Sequence, residues 1–280
     1  MGVVNVTPDS FSDGGRYLSL DAAVSQALRL EEAGASIIDV GGESTRPGAV
    51  RVEEHEELKR IVPVVRALRA RSAVPISVDT TRVSVAAAAL DEGADIINDI
   101  SGFRFEPDLA GVVGEHRAGC VLMHTPARPR EMMNHATYAD VTASVRASLE
   151  GSMRIAREAG VEELQIVLDP GFGFGKQTAD NWRLLSAFRE LRRPGRPLLV
   201  GVSRKRMLRD ALSTAGADVT EDALDVATAT ACAFARMAGA SIFRVHDVRS
   251  VRAALAVVDA LRQHAAPDSG SGEGERVPST

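Results

Sequence analysis

The apolar residues of this chain fall into short runs that are hydrophobic on both faces, and amphipathic stretches separate the runs. Such runs are typical of parallel strands that are buried between helices. Eight strands are predicted, at Gly2–Val6, Ile37–Val40, Ile76–Val78, Ile96–Asn98, Cys120–Met123, Ile166–Leu168, Leu198–Val202 and Ile242–Val245. Apolar residues at helical spacing predict helices at Ala22–Ala33, Glu53–Arg71, Thr81–Glu92, Asp140–Ala159 and Ala223–Ala238.

One phrase recurs along the chain: a helix end, a glycine, then an apolar strand. It reads Glu-Ala-Gly-Ala-Ser-Ile-Ile-Asp-Val at Glu32–Val40 and returns at Asp91–Asp99 and Met237–Val245, with a longer variant at Glu158–Asp169. The glycine suits the left-handed residue that closes a helix. This alternation predicts an α/β fold, a (β/α)8 TIM barrel in a single domain. An open doubly wound sheet is the alternative, although no Gly-x-Gly-x-x-Gly turn follows the first strand.

Length and composition agree with one barrel. The chain has 280 residues, of which 45% are hydrophobic. The predicted barrel domain covers residues 1–264, and the Pro-, Gly-, Ser- and Glu-rich segment 265–280 is predicted to be a disordered tail. A net charge of −5 argues against general binding to nucleic acid or to an anionic membrane. No run reaches the roughly 18 apolar residues of a spanning helix, and no signal peptide is visible. We therefore expect a reducing cytoplasm, with Cys120 and Cys232 in the core.

Polar side chains stand where nearly every predicted strand ends, which is the end at which barrel enzymes bind their substrates. They are Asn5, Asp39, Asp79, Asn98, His124, Asp169, Ser203 with Lys205, and Arg244 with His246. Any one of them suits a helix cap or a turn, but a full ring of buried polar groups is unfavourable unless it is used. The pattern therefore predicts a polar ligand site at this end of the barrel.

Within this set, basic and acidic side chains lie at different places around the rim. Arg244 and His246 are two residues apart on a predicted strand, so they should share a face that suits a phosphate or diphosphate. Asp79 and Asp169 lie elsewhere around the rim, where carboxylates favour a donor-rich heterocycle or a cation. The residues alone thus indicate a ligand with an N–H-rich ring at one end and phosphates at the other.

Glycine-rich loops follow three of the strands and carry the most specific signal. The first reads Asn5-Val-Thr-Pro-Asp-Ser-Phe-Ser-Asp-Gly-Gly15 and the second Gly41-Gly-Glu-Ser-Thr-Arg-Pro-Gly48. Both resemble signatures of the dihydropteroate synthases. Shorter motifs match in the same order over about residues 2–260: Asp79-Thr80, Asn98-Asp99, Met123-His124, Asp169-Pro-Gly-Phe-Gly-Phe-Gly-Lys176, Ser203-Arg-Lys205 and Arg244-Val-His-Asp247.

The resemblance implies a transferase of folate biosynthesis. In the family's reaction, the amine of p-aminobenzoate displaces diphosphate from 6-hydroxymethyl-7,8-dihydropterin diphosphate and gives 7,8-dihydropteroate. It also implies a Mg²⁺ cofactor and a cytoplasmic homodimer, with these two small molecules as the partners.

By the same resemblance, the candidate residues divide among three ligands. The pterin is held by Asp79, Asn98, Asp169 and Lys205. The diphosphate is bound by Arg244 and His246, with Asn5 helping to hold Mg²⁺ on it. The residues around p-aminobenzoate are Thr45, Arg46, Pro47 and Ser203. The implied catalytic residues are Asp79, Lys205, Arg244 and His246.

Two departures from the family pattern and two alternatives remain. Family members usually have a longer stretch before the first strand, and many have a Gln-Gly segment where this chain reads Thr-Pro-Ala-Arg-Pro-Arg after His124. Pterin-dependent methyltransferase domains share the barrel and its Asp/Asn floor, but they are not expected to need Phe11-Ser-Asp-Gly-Gly or Ser203-Arg-Lys. A catalytically silent pterin-binding paralogue should have lost parts of the first two loops.

Overall fold

A computed structural model describes residues 1–6, 16–192 and 195–264 of the protein. The predicted tail 265–280 and most of the first glycine-rich loop, residues 7–15, lie outside the described residues. Within the described ranges, no helix combines the length and the apolar character needed to cross a membrane. Cys120 and Cys232 are both buried free thiols, as predicted.

The described chain contains eight parallel strands. They are β1 (Gly2–Asn5), β2 (Ile38–Gly41), β3 (Ile76–Asp79), β4 (Ile96–Asp99), β5 (Gly119–Met123), β6 (Ile166–Asp169), β7 (Leu199–Val200) and β8 (Ile242–Phe243). The first six pair in chain order, and β7 pairs with β8. Single bridges from Leu168 to Leu198 and from Gly2 to Val245 join these two groups at both ends. The ring is therefore closed, and the predicted (β/α)8 barrel is confirmed.

Helices surround this ring. Those in the described ranges are α1 (Arg16–Glu32), α2 (Glu54–Arg69), α3 (Val83–Asp91), α4 (Leu109–Glu115), α5 (Val141–Glu158), α6 (Thr178–Ser186), α7 (Arg206–Thr214), α8 (Glu221–Met237) and α9 (Val248–His264). The five predicted helices are present, although α1 begins at Arg16 rather than Ala22. The sequence pattern did not predict α4, α6, α7 or α9.

Local sequence explains several of the boundaries. The side chain of Asp140 caps α5 by accepting from Ala143 N at 2.9 Å, and Thr220 caps α8 in the same way at Ala223. Each glycine of the recurring phrase has a positive φ, for example +93° at Gly34 and +103° at Gly239. The phrase is thus a helix stop followed by the next strand, as predicted.

The last two strands are shorter than predicted, and this corrects one argument from the sequence. β8 ends at Phe243, so Arg244 and His246 lie after the strand and not on it. Regular pairing stops there because the neighbouring β7 has only two residues. Arg244 N still donates to Val200 O at 2.9 Å, which keeps the chain extended as it leaves the barrel.

Candidate active site

The strand register places four rim residues side by side. Asn5 pairs with Gly41, Gly41 with Asp79, and Asp79 with Asn98. Residues two apart on a strand share a face, so Asp39 lies one layer below Gly41 on the same side of β2. Asp39 is fully buried, and Ser77 Oγ donates to its carboxylate at 2.6 Å. The interior therefore holds a buried carboxylate directly beneath the rim.

Arg244 links this lower layer to the rim. Its Nε donates to Asp39 Oδ2 at 2.6 Å, and its Nη2 donates to Asp79 Oδ2 at 2.9 Å. Asn98 Nδ2 also approaches Asp39, at 3.3 Å from Oδ2. Two predicted site residues, Arg244 and Asn98, thus contact one buried aspartate that the resemblance did not assign to the site, and Arg244 links it to a third, Asp79.

Electrostatics follow from this burial. Burial raises the pKa of Asp79 to about 7, although Arg244 opposes the shift. Burial alone would lower the pKa of Arg244, but Asp39 and Asp79 together raise it above its ordinary value. The guanidinium is therefore a permanent cation between two buried carboxylates.

Asp169, at the end of β6, begins the third glycine-rich loop. Its Oδ1 accepts from Gly171 N at 2.7 Å, which leaves its other oxygen for a ligand. Burial raises its pKa, and the charge of Lys205 opposes the rise. Lys205 Nζ donates to the carbonyl of Phe172 and lies 4.6 Å from the centre of the Phe174 ring. The lysine thus lies along the loop that Asp169 begins.

Lys176 supports the same loop from within the protein. It is 4% exposed, and its Nζ contacts Gly171 O at 2.8 Å, Phe174 O at 3.1 Å and His124 Nδ1 at 2.9 Å. Burial, with the nearby lysine charge, lowers the pKa of His124 to about 2. His124 is therefore neutral, and Lys176 joins the ends of β5 and β6.

Ser203 and His246 form a second polar pair. Ser203 Oγ lies 2.8 Å from His246 Nδ1 and accepts from the backbone N of His246 at 3.2 Å. Burial, together with the charges of Arg204 and Arg244, lowers the pKa of His246 to about 4. Arg244 and His246 were predicted to share one strand face, but their side chains contact different partners.

The loop between β2 and α2 forms one wall of a cavity of about 310 Å³. Thr45 lines the cavity from this loop, and Asp79 and Ile100 line it from other parts of the barrel. Arg46 and Pro47 are exposed on this loop. Gly48 N donates to Pro129 O at 3.1 Å, so the loop touches the unusual segment after β5. This wall leaves Thr45 in the cavity, whereas no hydrogen bond or ion pair joins Arg46 or Pro47 to another site residue among the described ones.

A buried ion pair anchors the same wall. Glu57 is 2% exposed, and its carboxylate lies 2.9 Å from Arg82 Nε and accepts from Thr80 Oγ1 at 2.7 Å. Burial raises the pKa of Glu57, although Thr80 and Arg82 oppose the rise. The sequence did not mark this cluster, because Glu57 falls within a run of acidic residues that is typical of an exposed helix start.

The described residues contain no group of three or more His, Cys, Asp or Glu side chains that is arranged to hold a metal. Asn5 is exposed at the end of β1. Gly41 lies between Asn5 and Asp79 on the rim. A side chain at this position would contact both, since its Cβ would lie 3.9 Å from Asn5 Oδ1 and 3.5 Å from Asp79 Cβ. One amide oxygen at an open rim fits Mg²⁺, which commonly keeps water and substrate phosphates as its other ligands.

The comparisons with known proteins agree with this architecture. The family model described as "Pterin binding enzyme" matches residues 1–246. The dihydropteroate synthase of Mycobacterium leprae is 49% identical over 272 residues, which cover 95% of this chain and 94% of the relative. That of Synechocystis is 46% identical over 261 residues, covering 93% and 89%. The solved Xanthomonas albilineans dihydropteroate synthase with 4-aminobenzoic acid has a TM-score of 0.86 at 43% identity, covering 95% of this chain and 93% of that one.

A closed parallel barrel with buried charges at the carboxyl ends of its strands defines an α/β-barrel enzyme. The chain belongs to the pterin-binding enzyme family and, within it, to the dihydropteroate synthases. These are transferases of folate biosynthesis, so the resemblance seen in the loops is confirmed.

Proposed function

We propose that the rim of the barrel joins p-aminobenzoate to 6-hydroxymethyl-7,8-dihydropterin diphosphate. The amine attacks the pterin methylene, the C–O bond to diphosphate breaks, and the amine loses one proton to solvent. The observation that carries this proposal is the contact of Arg244 with Asp39 and Asp79, since it sets a fixed cation beside carboxylates suited to a pterin ring.

The pterin would bind between Asp79, Asn98, Asp169 and Lys205. The oxygen of Asp169 that Gly171 does not occupy can accept from the amino and imide N–H groups of the ring. Asn98 offers a donor and an acceptor to a heterocycle edge. Lys205 can leave the Phe172 carbonyl to donate to ring acceptors while its stem packs on the ring. Asp79 would steady positive charge on the methylene as diphosphate departs.

The diphosphate would bind at Arg244 and His246. A guanidinium has five N–H donors, and Asp39 and Asp79 engage only Nε and Nη2. Nη1 therefore remains for a phosphate oxygen. His246 is neutral at pH 7, so it would bind as a hydrogen-bond donor unless the phosphate charge raises its pKa. These groups would stabilise the negative charge that develops on the leaving diphosphate.

Mg²⁺ would be held by Asn5 together with the diphosphate oxygens. Charge on the leaving group would be neutralised further by the ion when it is bound. The support is the open position of Asn5 on the rim beside Gly41.

The p-aminobenzoate would lie against Thr45, Arg46, Pro47 and Ser203. Thr45 lines the cavity that contains Asp79, and Ser203 is 8% exposed next to His246. The charge of Arg46 also contributes to lowering the pKa of His246, and this supports a position for the loop residue near the diphosphate end. The amine is nucleophilic when neutral, so no general base is assigned.

We also propose a homodimer that forms through α8 and α9. Of the large apolar side chains exposed in the described ranges, five lie on these two helices: Val226, Phe234, Met237, Val257 and Leu261. On α8 their spacings of eight and three place them on one helix face. Phe234→Glu should convert the dimer to monomer in analytical ultracentrifugation, with Leu164→Glu, which is exposed elsewhere, as the control.

We further propose that residues 1–264 form one pterin-binding domain and that the protein works in the cytoplasm. The two buried free thiols suit a reducing compartment, and burial raises the pKa of both to about 12.

The test of the activity is product formation. The protein is mixed with the pterin diphosphate, labelled p-aminobenzoate and Mg²⁺, and labelled 7,8-dihydropteroate is separated by chromatography. Formation of this product supports the proposal. Pterin binding without any product would contradict it.

A further inference from the structure

Arg204 stands between two proposed site residues, Ser203 and Lys205, in an unusual backbone conformation. Its φ is +56°, in the left-handed region that favours glycine. A residue with a Cβ adopts this conformation at an energetic cost and keeps it only when its surroundings enforce it. The turn after β7 is therefore held by contacts outside itself.

Those contacts all come from α8. Arg204 Nε and Nη2 each donate to the carboxylate of Asp225 at 2.7 Å, which is a bidentate ion pair. The backbone N of Arg204 donates to Thr228 Oγ1 at 3.1 Å, and Nη1 donates to Glu221 at 3.0 Å. Asp225 is 14% exposed and Glu221 is 78% exposed. Of the two carboxylates, Asp225 is thus the firmer anchor.

The residues on either side of Arg204 face the site. Ser203 Oγ contacts His246, and Lys205 Nζ contacts the Phe172 carbonyl of the third glycine-rich loop. The left-handed residue lets Arg204 reach α8 while its two neighbours stay at the rim. Loss of these contacts with α8 would therefore free the turn that carries both neighbours.

We propose that Arg204 and Asp225 form a positioning pair, which holds Ser203 and Lys205 in place for the two substrates without touching either substrate. The proposal rests on the function proposed above, since it takes Ser203 and Lys205 as substrate contacts. Neither Arg204 nor Asp225 was among the site residues predicted from the sequence.

The chain offers a direct probe of this positioning because it has only three lysines, Lys59, Lys176 and Lys205. Burial lowers the pKa of Lys205 to about 8, and the charges that act on it are Asp169, Arg244 and Asp79. In protein labelled with ¹³C and ¹⁵N at lysine, Lys205 can be titrated by NMR, with the exposed Lys59 as an internal reference.

The first variant is Asp225→Ala. We expect the Lys205 titration to move up from about 8 toward the ordinary lysine value of roughly 10.4. We expect kcat/KM to fall about 10- to 100-fold, because small displacements of positioned groups have effects of this size. The Lys59 signal should not move, whereas the Lys176 signal is not a control because the charge of Lys205 acts on it.

Two further variants serve as control and as a separate test. Glu221→Gln removes the exposed partner on the same helix and should leave both the titration and kcat/KM within about twofold of wild type. Arg204→Gly keeps a residue that accepts the positive φ but removes the tether, so it should behave like Asp225→Ala. If Asp225→Ala does not fold, Asp225→Asn replaces it and should give a smaller shift in the same direction.

An unchanged Lys205 titration together with unchanged kcat/KM in Asp225→Ala or Arg204→Gly would overturn the positioning pair. The same holds if Glu221→Gln has an equal effect. Failure of the proposed function would look different: wild-type protein would form no product, while the lysine titrations would still report on the pair.

Discussion

Arg244 donates to the carboxylate of Asp79 over 2.9 Å, so the residue proposed for the diphosphate and one proposed for the pterin form a single ion pair. The carboxylate of Asp39 accepts from Nε of the same guanidinium at 2.6 Å. The groups for the leaving group and for the ring are thus mechanically coupled through one side chain.

The proposed contact of Arg244 with the diphosphate predicts the effect of removing this residue. Arg244→Ala should lower kcat by about 10²–10³, because it removes a charge that meets the departing diphosphate. Pterin affinity should fall much less, since such a stabiliser acts mainly in the transition state. Steady-state kinetics measure kcat, and calorimetry with the pterin measures its affinity.

A control for folding accompanies this variant, because it leaves Asp39 buried without its cation, a change that can destabilise a protein by about 3–5 kcal/mol. Arg244→Lys keeps a positive charge and should fold while losing the second contact. Equal losses of kcat and of pterin affinity in both variants would argue against a leaving-group role.

Asp169→Asn tests pterin recognition. The amide would place a donor opposite ring N–H groups, and an unpaired buried donor destabilises binding by about 1–3 kcal/mol. Pterin affinity should therefore fall about 5- to 150-fold in calorimetry. Asp140→Asn, at the cap of α5 and away from the site, is the matched control. Unchanged affinity in Asp169→Asn would remove this residue from the site.

The pH profile should report Lys205. Its pKa is lowered to about 8, so the ammonium is lost as the pH rises through that value. We expect kcat/KM for the pterin diphosphate to decline above about pH 8. Lys205→Arg keeps its charge at alkaline pH, so its profile should lack this decline even though its activity is lower. A wild-type profile that stays flat to pH 10 contradicts the assignment.

The buried pair of Glu57 and Arg82 should matter for stability. Arg82→Ala leaves Glu57 buried without its cation, and we expect a loss of about 3–5 kcal/mol in the free energy of unfolding. Arg157→Ala breaks the exposed pair with Glu163 and should change that free energy by less than about 1 kcal/mol. Urea unfolding of both variants measures the two losses in the free energy of unfolding. Similar losses in Arg82→Ala and Arg157→Ala would show that the buried pair adds no more stability than the exposed one.

The sequence predicted the barrel well because the strands are largely apolar on both faces and the helix in each recurring phrase ends in a left-handed glycine. It missed α4, α6, α7 and α9; the first three are short, and α4 also contains Gly111 and Gly114. The ends of β7 and β8 were misplaced because extended chain and paired strand have the same composition.

The site was less predictable. The polar rim, Asp39 included, was visible from position alone, yet no ligand or catalytic role was assigned to Asp39. The buried lysine at Lys176 and the anchor at Asp225 had no such signal. Their roles depend on contacts between residues as far apart as His124 and Lys176, which no local pattern contains.

The most direct test of the central claim is diphosphate release by the wild-type protein. The pterin diphosphate is supplied with and without p-aminobenzoate, and with and without a Mg²⁺ chelator. The account predicts release only when both substrates and Mg²⁺ are present, with one diphosphate for each dihydropteroate formed. Release that does not depend on p-aminobenzoate, or no release in any condition, would contradict it.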